Sequence, residues 1–301
     1  MNYLFFYNIR KISFIIIDVF SSKAFFFAIF FGIISKILSI PYLTIVRGGN
    51  LEKRMNMSPS FTNFLFNNSA INISPSEFLL KVLLDKGHHV KSIPNFIDVQ
   101  NYPFNLRKTI TPKLLWVRSF HEVYNPTMAI EVLSSLVKEH CDALLTMVGP
   151  DKDGSQNDCI KLAEQLGVDN NLKITGKLSK EEWRDLSKHH DIFINTTHID
   201  NTPVSVIEAM ALGLPIVSTN VGGIPYLLKN NENALLVKSN DTFGMVSQIK
   251  FLINNPKKSM KISENAHLLV ENFSWEKVET RWVEVIESID KNNKSSRGTK
   301  R

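Results

Sequence analysis

Cysteine is almost absent: Cys141 and Cys159 are the two in a chain of 301 residues. Two thiols make neither a disulfide framework nor a zinc pattern, and they suit a reducing cytosol. Four of the eight histidines form adjacent pairs, His88-His89 and His189-His190, whose side chains diverge and which have no carboxylate at ligand spacing. Metal binding therefore has little support, and no metal or cofactor is expected. The motifs G-x-S-x-G, G-x-x-x-x-G-K-[ST] and G-x-G-x-x-G are all missing. No apolar run reaches the roughly 20 residues that a bilayer span needs. Net positive charge is also small outside one end. Net charge is +6, but Lys291, Lys294, Arg297, Lys300 and Arg301 lie in the last eleven residues with no acid among them, leaving +1 for everything before. A nucleic-acid groove in the body is thus not implied. The basic end reads as a solvated tail, with contact to an anionic membrane surface as the sharper alternative.

What remains is an ordinary globular composition, 44% apolar and 21% charged. Residues 1–20 are very apolar, but Arg10 and Lys11 stand in the middle and Asp18 follows, which is the wrong order for a signal peptide. Residues 12–19 read as a buried strand. Residues 24–35 are uncharged and hold five phenylalanines. They read first as a buried helix and second as a helix resting on a membrane surface. Tyr42–Val46 is a strand ending at Arg47-Gly48-Gly49-Asn50, where the glycine pair lets backbone turn sharply or approach a ligand. Strand, helix, strand and glycine loop form a βαβ unit that begins almost at Met1, so the early units of an open sheet are expected to be missing. A strand at 71–74, a helix at 76–86, a strand at 90–94 and a polar turn at 95–98 follow. Residues 99–112 read as a linker.

A second alternating series follows. Strands are expected at 114–117, 143–148, 172–175, 191–195, 216–219 and 234–237. Helices are expected at 127–138, 158–166, from the Ser179-Lys180-Glu181-Glu182 capping box, and at 241–253 and 257–270. Strands alternating with helices mean an α/β fold with a parallel, doubly wound sheet. Residues 274–289 form a last amphipathic helix.

The most informative stretch is 200–215. Thr202 or a neighbour caps a helix with Pro203 at its first position, and Gly213 and Pro215 end it. Its residues are apolar or small except Glu208, so the helix is buried and its carboxylate needs a partner. The helix start, with its free N–H groups and dipole, forms an anion site beside the acidic loop of Asp200. In an open parallel sheet, ligands sit at the carboxyl ends of the strands. The loops there bring Arg118, Gly149, Lys177, Asp200 and Gly222-Gly223 together with this helix start. That set suits a nucleotide diphosphate, with cation and N–H for phosphate and carboxylate for ribose. Each residue also has a plainer reading: Arg118 as an ion pair, His121 as a polar loop residue, Glu208 as part of a buried network, Asp200 as a cap, and the glycines as a turn.

Residues 200–225, from Asp200 through Ala209-Met210-Ala211-Leu212-Gly213-Leu214-Pro215-Ile216-Val217 to Val221-Gly222-Gly223-Ile224-Pro225, resemble the donor-site signature of the retaining GT-B glycosyltransferases of family 4. The resemblance extends weakly over 94–98, 114–118, 146–151, 176–182 and 273–282. It implies two Rossmann-like domains, the first incomplete at its front: residues 1–98 on the acceptor side, 99–272 for the nucleotide sugar, a helix at 273–290 crossing back, and the tail 291–301. Glu208 would hold the ribose. Asp200, where the family has Glu, would touch the sugar hydroxyls. Asn201, Thr202, Pro203, Val204 and Ser205 would line the diphosphate and sugar, with Lys177 and Gly149 nearby. Arg118 matches the family's phosphate-binding Arg, while Tyr124, Asn125 and Pro126 occupy the region of its partner Lys. Arg47, with Gly48 and Gly49 in the interdomain loop, stands where many relatives have His.

The implied activity is retaining, metal-free transfer of a sugar from a UDP- or GDP-linked donor to a hydroxyl. The acceptor would be a glycan or a lipid-linked molecule in cell-surface polysaccharide synthesis. Asp200 and Arg118 would be the catalytic pair. The enzyme would be cytoplasmic, with peripheral contact to the inner face of the membrane following from the second reading of residues 24–35. The alternative is a nucleotide-sugar-binding remnant with impaired catalysis. A sugar-nucleotide epimerase is a third reading, against which the Ala209–Pro215 run speaks.

Overall fold

The computed structural model describes residues 12–298, and of 292–298 only the backbone. Arg10, Lys11 and the rest of 1–11, like the last residues of the basic end, lie outside the described residues. The chain divides into two compact units, one of residues up to Asn95 with those from Glu276 onward, the other Phe96–Trp275.

The first unit runs β1 (Ile15–Val19), α1 (Phe25–Ile37), β2 (Tyr42–Val46), α2 (Leu51–Met57), α3 (Pro59–Asn67), β3 (Ile71–Ser74), α4 (Glu77–Asp85) and β4 (Val90–Ser92). Its four strands are parallel and lie in sequence order. Every residue of β2 is buried. Alternation divides them: Tyr42 and Val46 join the core beneath α1 and α4, while Leu43 and Ile45 pack with Val278, Val285 and Ile289 of the final helix, Trp275–Gly298. That helix runs on through Gly298, into the stretch expected to be a tail. No proline or glycine interrupts residues 275–297.

The buried-helix reading of residues 24–35 needs correction. Phe25, Ala28, Ile29, Gly32 and Ser35 are buried, but Phe26, Phe27, Phe30, Phe31, Ile33 and Ile37 are exposed. One helical stripe packs on the unit, and composition that is apolar all round hid the distinction.

The second unit holds β5 (Lys113–Val117), α5 (Pro126–Val137), β6 (Leu144–Val148), α6 (Ser155–Gln165), β7 (Leu172–Gly176), α7 (Lys180–Ser187), β8 (Ile192–Asn195), α8 (Val204–Ala211), β9 (Ile216–Thr219), α9 (Ile224–Leu227), β10 (Leu235–Val237), α10 (Thr242–Asn254) and α11 (Pro256–Val270). The six strands are parallel in the order β10-β9-β8-β5-β6-β7. The chain winds outward from β5 in one direction and then, from β8, in the other. The β5–β8 boundary is therefore the switch point, where an open α/β sheet leaves a crevice at its carboxyl ends. Two apolar clusters cover the two faces of this sheet.

Residues 99–112 are not a loose linker. Tyr102, Arg107 and Ile110 are buried. The Arg107 guanidinium donates to the backbone carbonyls of Asn105, Ser187, His190 and Leu212. Burial lowers its pKa to about 10, with Asp191 opposing. The segment is tied down by side chains that a pattern of turn signals does not display.

Candidate active site

Each wall of the switch-point crevice is set by a local rule. Arg118 leaves β5 with its N–H bonded to the Val148 carbonyl at 3.0 Å, which keeps the ends of β5 and β6 in contact. Gly149 stands at that crossing. A Cβ there would lie 1.7 Å from the Arg118 carbonyl oxygen, so only glycine fits. The Gly149 N–H donates to the Gly176 carbonyl at 2.9 Å, so Gly149 contributes a wall without a side chain rather than a free donor.

Residues 196–203 are anchored from behind. Thr196 and Thr197 hydroxyls donate to the carbonyls of Tyr124 and Val123, and Thr219 Oγ1 donates to the Thr197 carbonyl at 2.7 Å. The Gly223 N–H donates to the Asp200 carbonyl at 2.8 Å. A Cβ on Gly223 would sit 1.8 Å from the Asn201 carbonyl oxygen, so this glycine permits the loop to close. Pro203, expected at the first helical position, is instead the residue before it, with an extended ψ of 112°. Val204 therefore opens α8. The N–H groups of Val204 and Ser205 head the helix, where no intrahelical acceptor exists. At the other end Gly213, at φ +74°, closes the helix as expected.

A cleft of ≈ 450 Å³ lies between these parts, and its lining includes Arg118, Gly149, Lys177, Lys180, Ser205 and Glu208. Of the expected site residues, Arg118, Gly149, Lys177, Val204, Ser205 and Glu208 line it directly. Asp200 reaches it through an ion pair with Arg118. Asn201, Thr202 and Pro203 shape the turn into α8 and are not among its lining residues. Arg47, Gly48 and Gly49 belong to the other unit. There Arg47 pairs with Asp18 at 2.9 Å and donates to Asn95 Oδ1 at 2.8 Å.

The two residues expected to act on the donor separately are joined. Arg118 Nη2 pairs with Asp200 Oδ2, the guanidinium lies 4.5 Å from the Tyr124 ring centroid, and Asp200 Oδ1 accepts the Asn201 N–H at 2.8 Å. Burial lowers the Arg118 pKa from its ordinary value, and Tyr124 opposes that shift. Tyr124, read from sequence only as filling the place of an absent lysine, is thus the platform for the arginine.

Glu208 is 2% exposed, and its neighbours were not foreseen. Tyr102 Oη donates to Glu208 Oε1 at 2.6 Å. Lys180 Nζ donates to the same oxygen. Burial, then the bond to Glu208, raises the Tyr102 phenol above its usual range. Apart from Arg118 Nη2, which faces Asp200, four buried polar atoms of cleft residues have no hydrogen-bond partner among the described residues: Glu208 Oε2, Ser205 Oγ, Arg118 Nε and Trp183 Nε1. Such atoms are costly in a finished interior and ordinary where a ligand completes them. Among the described residues, no group of three or more His, Cys, Asp or Glu side chains is placed to hold a metal. No described helix is long and apolar enough to cross a membrane.

An open parallel sheet with an arginine, a buried carboxylate and a helix start at its switch point defines a doubly wound α/β protein with a polar crevice at its strand ends. The chain belongs to the glycosyl transferases group 1 family, whose pattern it matches over residues 99–268, more than half its length. It is 30% identical over 158 residues to an uncharacterized glycosyltransferase of Haemophilus influenzae, covering 51% of this chain and 42% of that protein. Its fold is shared with Anabaena HepE, solved in complex with UDP-glucose, at a TM-score of 0.75 and 16% identity over 87% of this chain and 76% of that one. A Francisella tularensis structure of the C-terminal domain of a group 1 glycosyl transferase aligns at a TM-score of 0.53 and 18% identity, covering 60% of this chain and 99% of that one. The two-sheet α/β architecture is thus that of GT-B glycosyltransferases, as the resemblance implied. The chain spans about half the length of the curated relatives it matches first.

Proposed function

We propose that the chain binds a nucleoside-diphosphate sugar, UDP- or GDP-linked, in the switch-point cleft and transfers its sugar with retention, as a family 4 enzyme. The observation that carries this reading is the convergence of Glu208 Oε2, Ser205 Oγ and Arg118 Nε, buried and unpartnered, on one cleft. An acceptor oxygen suits a ribose hydroxyl. The α8 start and the arginine suit the charge that grows on the leaving diphosphate. The acceptor is a hydroxyl of a glycan or lipid-linked molecule of the cell surface. Arg118 and backbone dipoles neutralise the leaving group without a metal. Calorimetry with UDP, GDP and ADP, followed by transfer assays with their sugars, tests the reading. Binding is expected, with a loss of about tenfold or more in Glu208→Ala and turnover indifferent to chelator. No binding of any of the three nucleotides sinks it.

Binding without turnover is the second reading. It is favoured by Asp200, whose two carboxylate oxygens already serve Arg118 and the Asn201 N–H. Robust transfer by the purified chain refutes it. The exposed aromatic face of α1 supports a cytoplasmic protein resting on the inner membrane surface, with Lys23 and Lys36 exposed at its ends. Flotation with anionic vesicles that persists unchanged in Phe27→Glu/Phe30→Glu removes that support.

A further inference from the structure

Lys180 is the first residue of α7 and has no part in the helix cap, which Ser179 and Glu182 make between them. Its Nζ sits on Glu208 Oε1, yet its side chain is 63% exposed against 2% for the carboxylate. Of the three cations that line the cleft, Arg118, Lys177 and Lys180, two sit on carboxylates: Lys180 on Glu208 and Arg118 on Asp200. A diphosphate needs cations, and a ribose needs a carboxylate. Both needs are met at once if ligand hydroxyls take over Glu208 while phosphate takes over the lysine. Lys180 is built for that exchange. Its backbone is fixed by the capping box, in which the Ser179 N–H donates to Glu182 Oε2 at 2.7 Å. Its ammonium swings on a four-carbon stem. An ion pair with one member largely in water is weak, so its release is easy. Glu208 does not lose all its support, because Tyr102 remains on Oε1.

We propose that Lys180 is a two-position residue. It neutralises Glu208 in this structure, and it moves to the donor's diphosphate as the ribose engages Glu208. It thereby supplies the diphosphate with a cation beside Arg118. The inference rests on the reading of the cleft as a nucleoside-diphosphate site.

The test compares nucleoside with nucleotide in the 301-residue chain. Binding of UDP and GDP is measured by calorimetry, and of uridine and guanosine by ligand-observed NMR titration. In Lys180→Met, affinity for the diphosphate that binds is expected to fall about tenfold or more, as for a lost charge-assisted hydrogen bond. Affinity for its nucleoside stays level or rises, because the competitor on Glu208 is gone. The salt dependence of diphosphate binding becomes shallower. Lys180→Arg restores most of the diphosphate affinity. An unchanged thermal melt verifies that the exposed substitution leaves the fold alone. Nucleoside and diphosphate weakening by the same factor overturns the proposal, as does diphosphate binding that ignores the substitution. Failure of the unaltered protein to bind any nucleotide overturns the site reading and this inference together.

Discussion

Glu208 is a carboxylate on a helix otherwise made of apolar and small residues, and it is satisfied on one oxygen by a tyrosine 106 positions away. The string around it made the acid itself conspicuous, since a lone charge on a buried helix needs a partner. Nothing local identifies that partner. Tyr102 stands among turn residues, and only the folded chain carries it to α8. Arg118 and Gly149 were legible for the opposite reason, because each ends a strand and strand ends meet at the switch point. Their use was less legible: Arg118 is engaged by Asp200 and Tyr124, and Gly149 is there for close approach. Removing the tyrosine hydroxyl tests the network. Tyr102→Phe keeps the packing and deprives Glu208 of its one neutral donor. Unfolding in denaturant is expected to show a loss of about 1–3 kcal/mol, the usual cost of a buried partner removed. Nucleoside diphosphate is expected to bind more weakly while a 2′,3′-dideoxy analogue is unaffected, because the change acts through the carboxylate that meets the ribose. Equal weakening of both ligands would show that Tyr102 only supports the fold.

α7 shows how far an element can be read in advance. The capping box expected from Ser179 and Glu182 is present in both directions, with Glu182 N–H on Ser179 Oγ at 3.2 Å and Ser179 N–H on Glu182 Oε2 at 2.7 Å. Caps are local chemistry and survive without tertiary knowledge. The strands Tyr42–Val46, Ile71–Ser74 and Ile216–Thr219 were equally legible, because short apolar runs between turn signals suit a two-sided parallel sheet. α1 was misread because its apolar residues do not say which side is covered. The α7 cap should be measurable through pH. The backbone bond from Ser179 holds the Glu182 carboxyl below its ordinary range. A lowered folded value means that the stabilisation is complete above the unfolded value of about 4.3 and disappears as pH falls through the folded one. Ser179→Ala should cost about 1 kcal/mol near neutrality. The melting difference between Glu182→Ala and the unaltered protein should narrow below about pH 4. A difference that stays constant down to acid pH would mean the box contributes through Ser179 alone.

At the scale of the whole molecule, the lining of the cleft comes entirely from Phe96–Trp275. That unit has its own six-stranded sheet, with an apolar cluster on each face. Its front edge is held by internal bonds: the Ile97 N–H donates to the Phe273 carbonyl at 2.9 Å, and Arg107 staples the 99–112 segment to the carbonyls of Ser187, His190 and Leu212. The boundary therefore falls before the segment that composition marked as a linker, because Tyr102 and Arg107 make that segment part of the core. Cutting at residue 99 would leave Ile97 and its bond outside. Cutting at 112 would remove Tyr102 from Glu208 and Arg107 from three carbonyls. A chain of residues 96–275 is expected to unfold cooperatively and to bind nucleoside diphosphate within about fivefold of the full protein, a difference near 1 kcal/mol. A chain of residues 113–275 is expected to lose cooperative unfolding, since three backbone carbonyls would lose Arg107 and Glu208 Oε1 would lose Tyr102 in one step. Calorimetric melting and nucleotide titration of the two chains side by side decide the matter. Equal behaviour of the two would show that residues 96–112 are a linker after all.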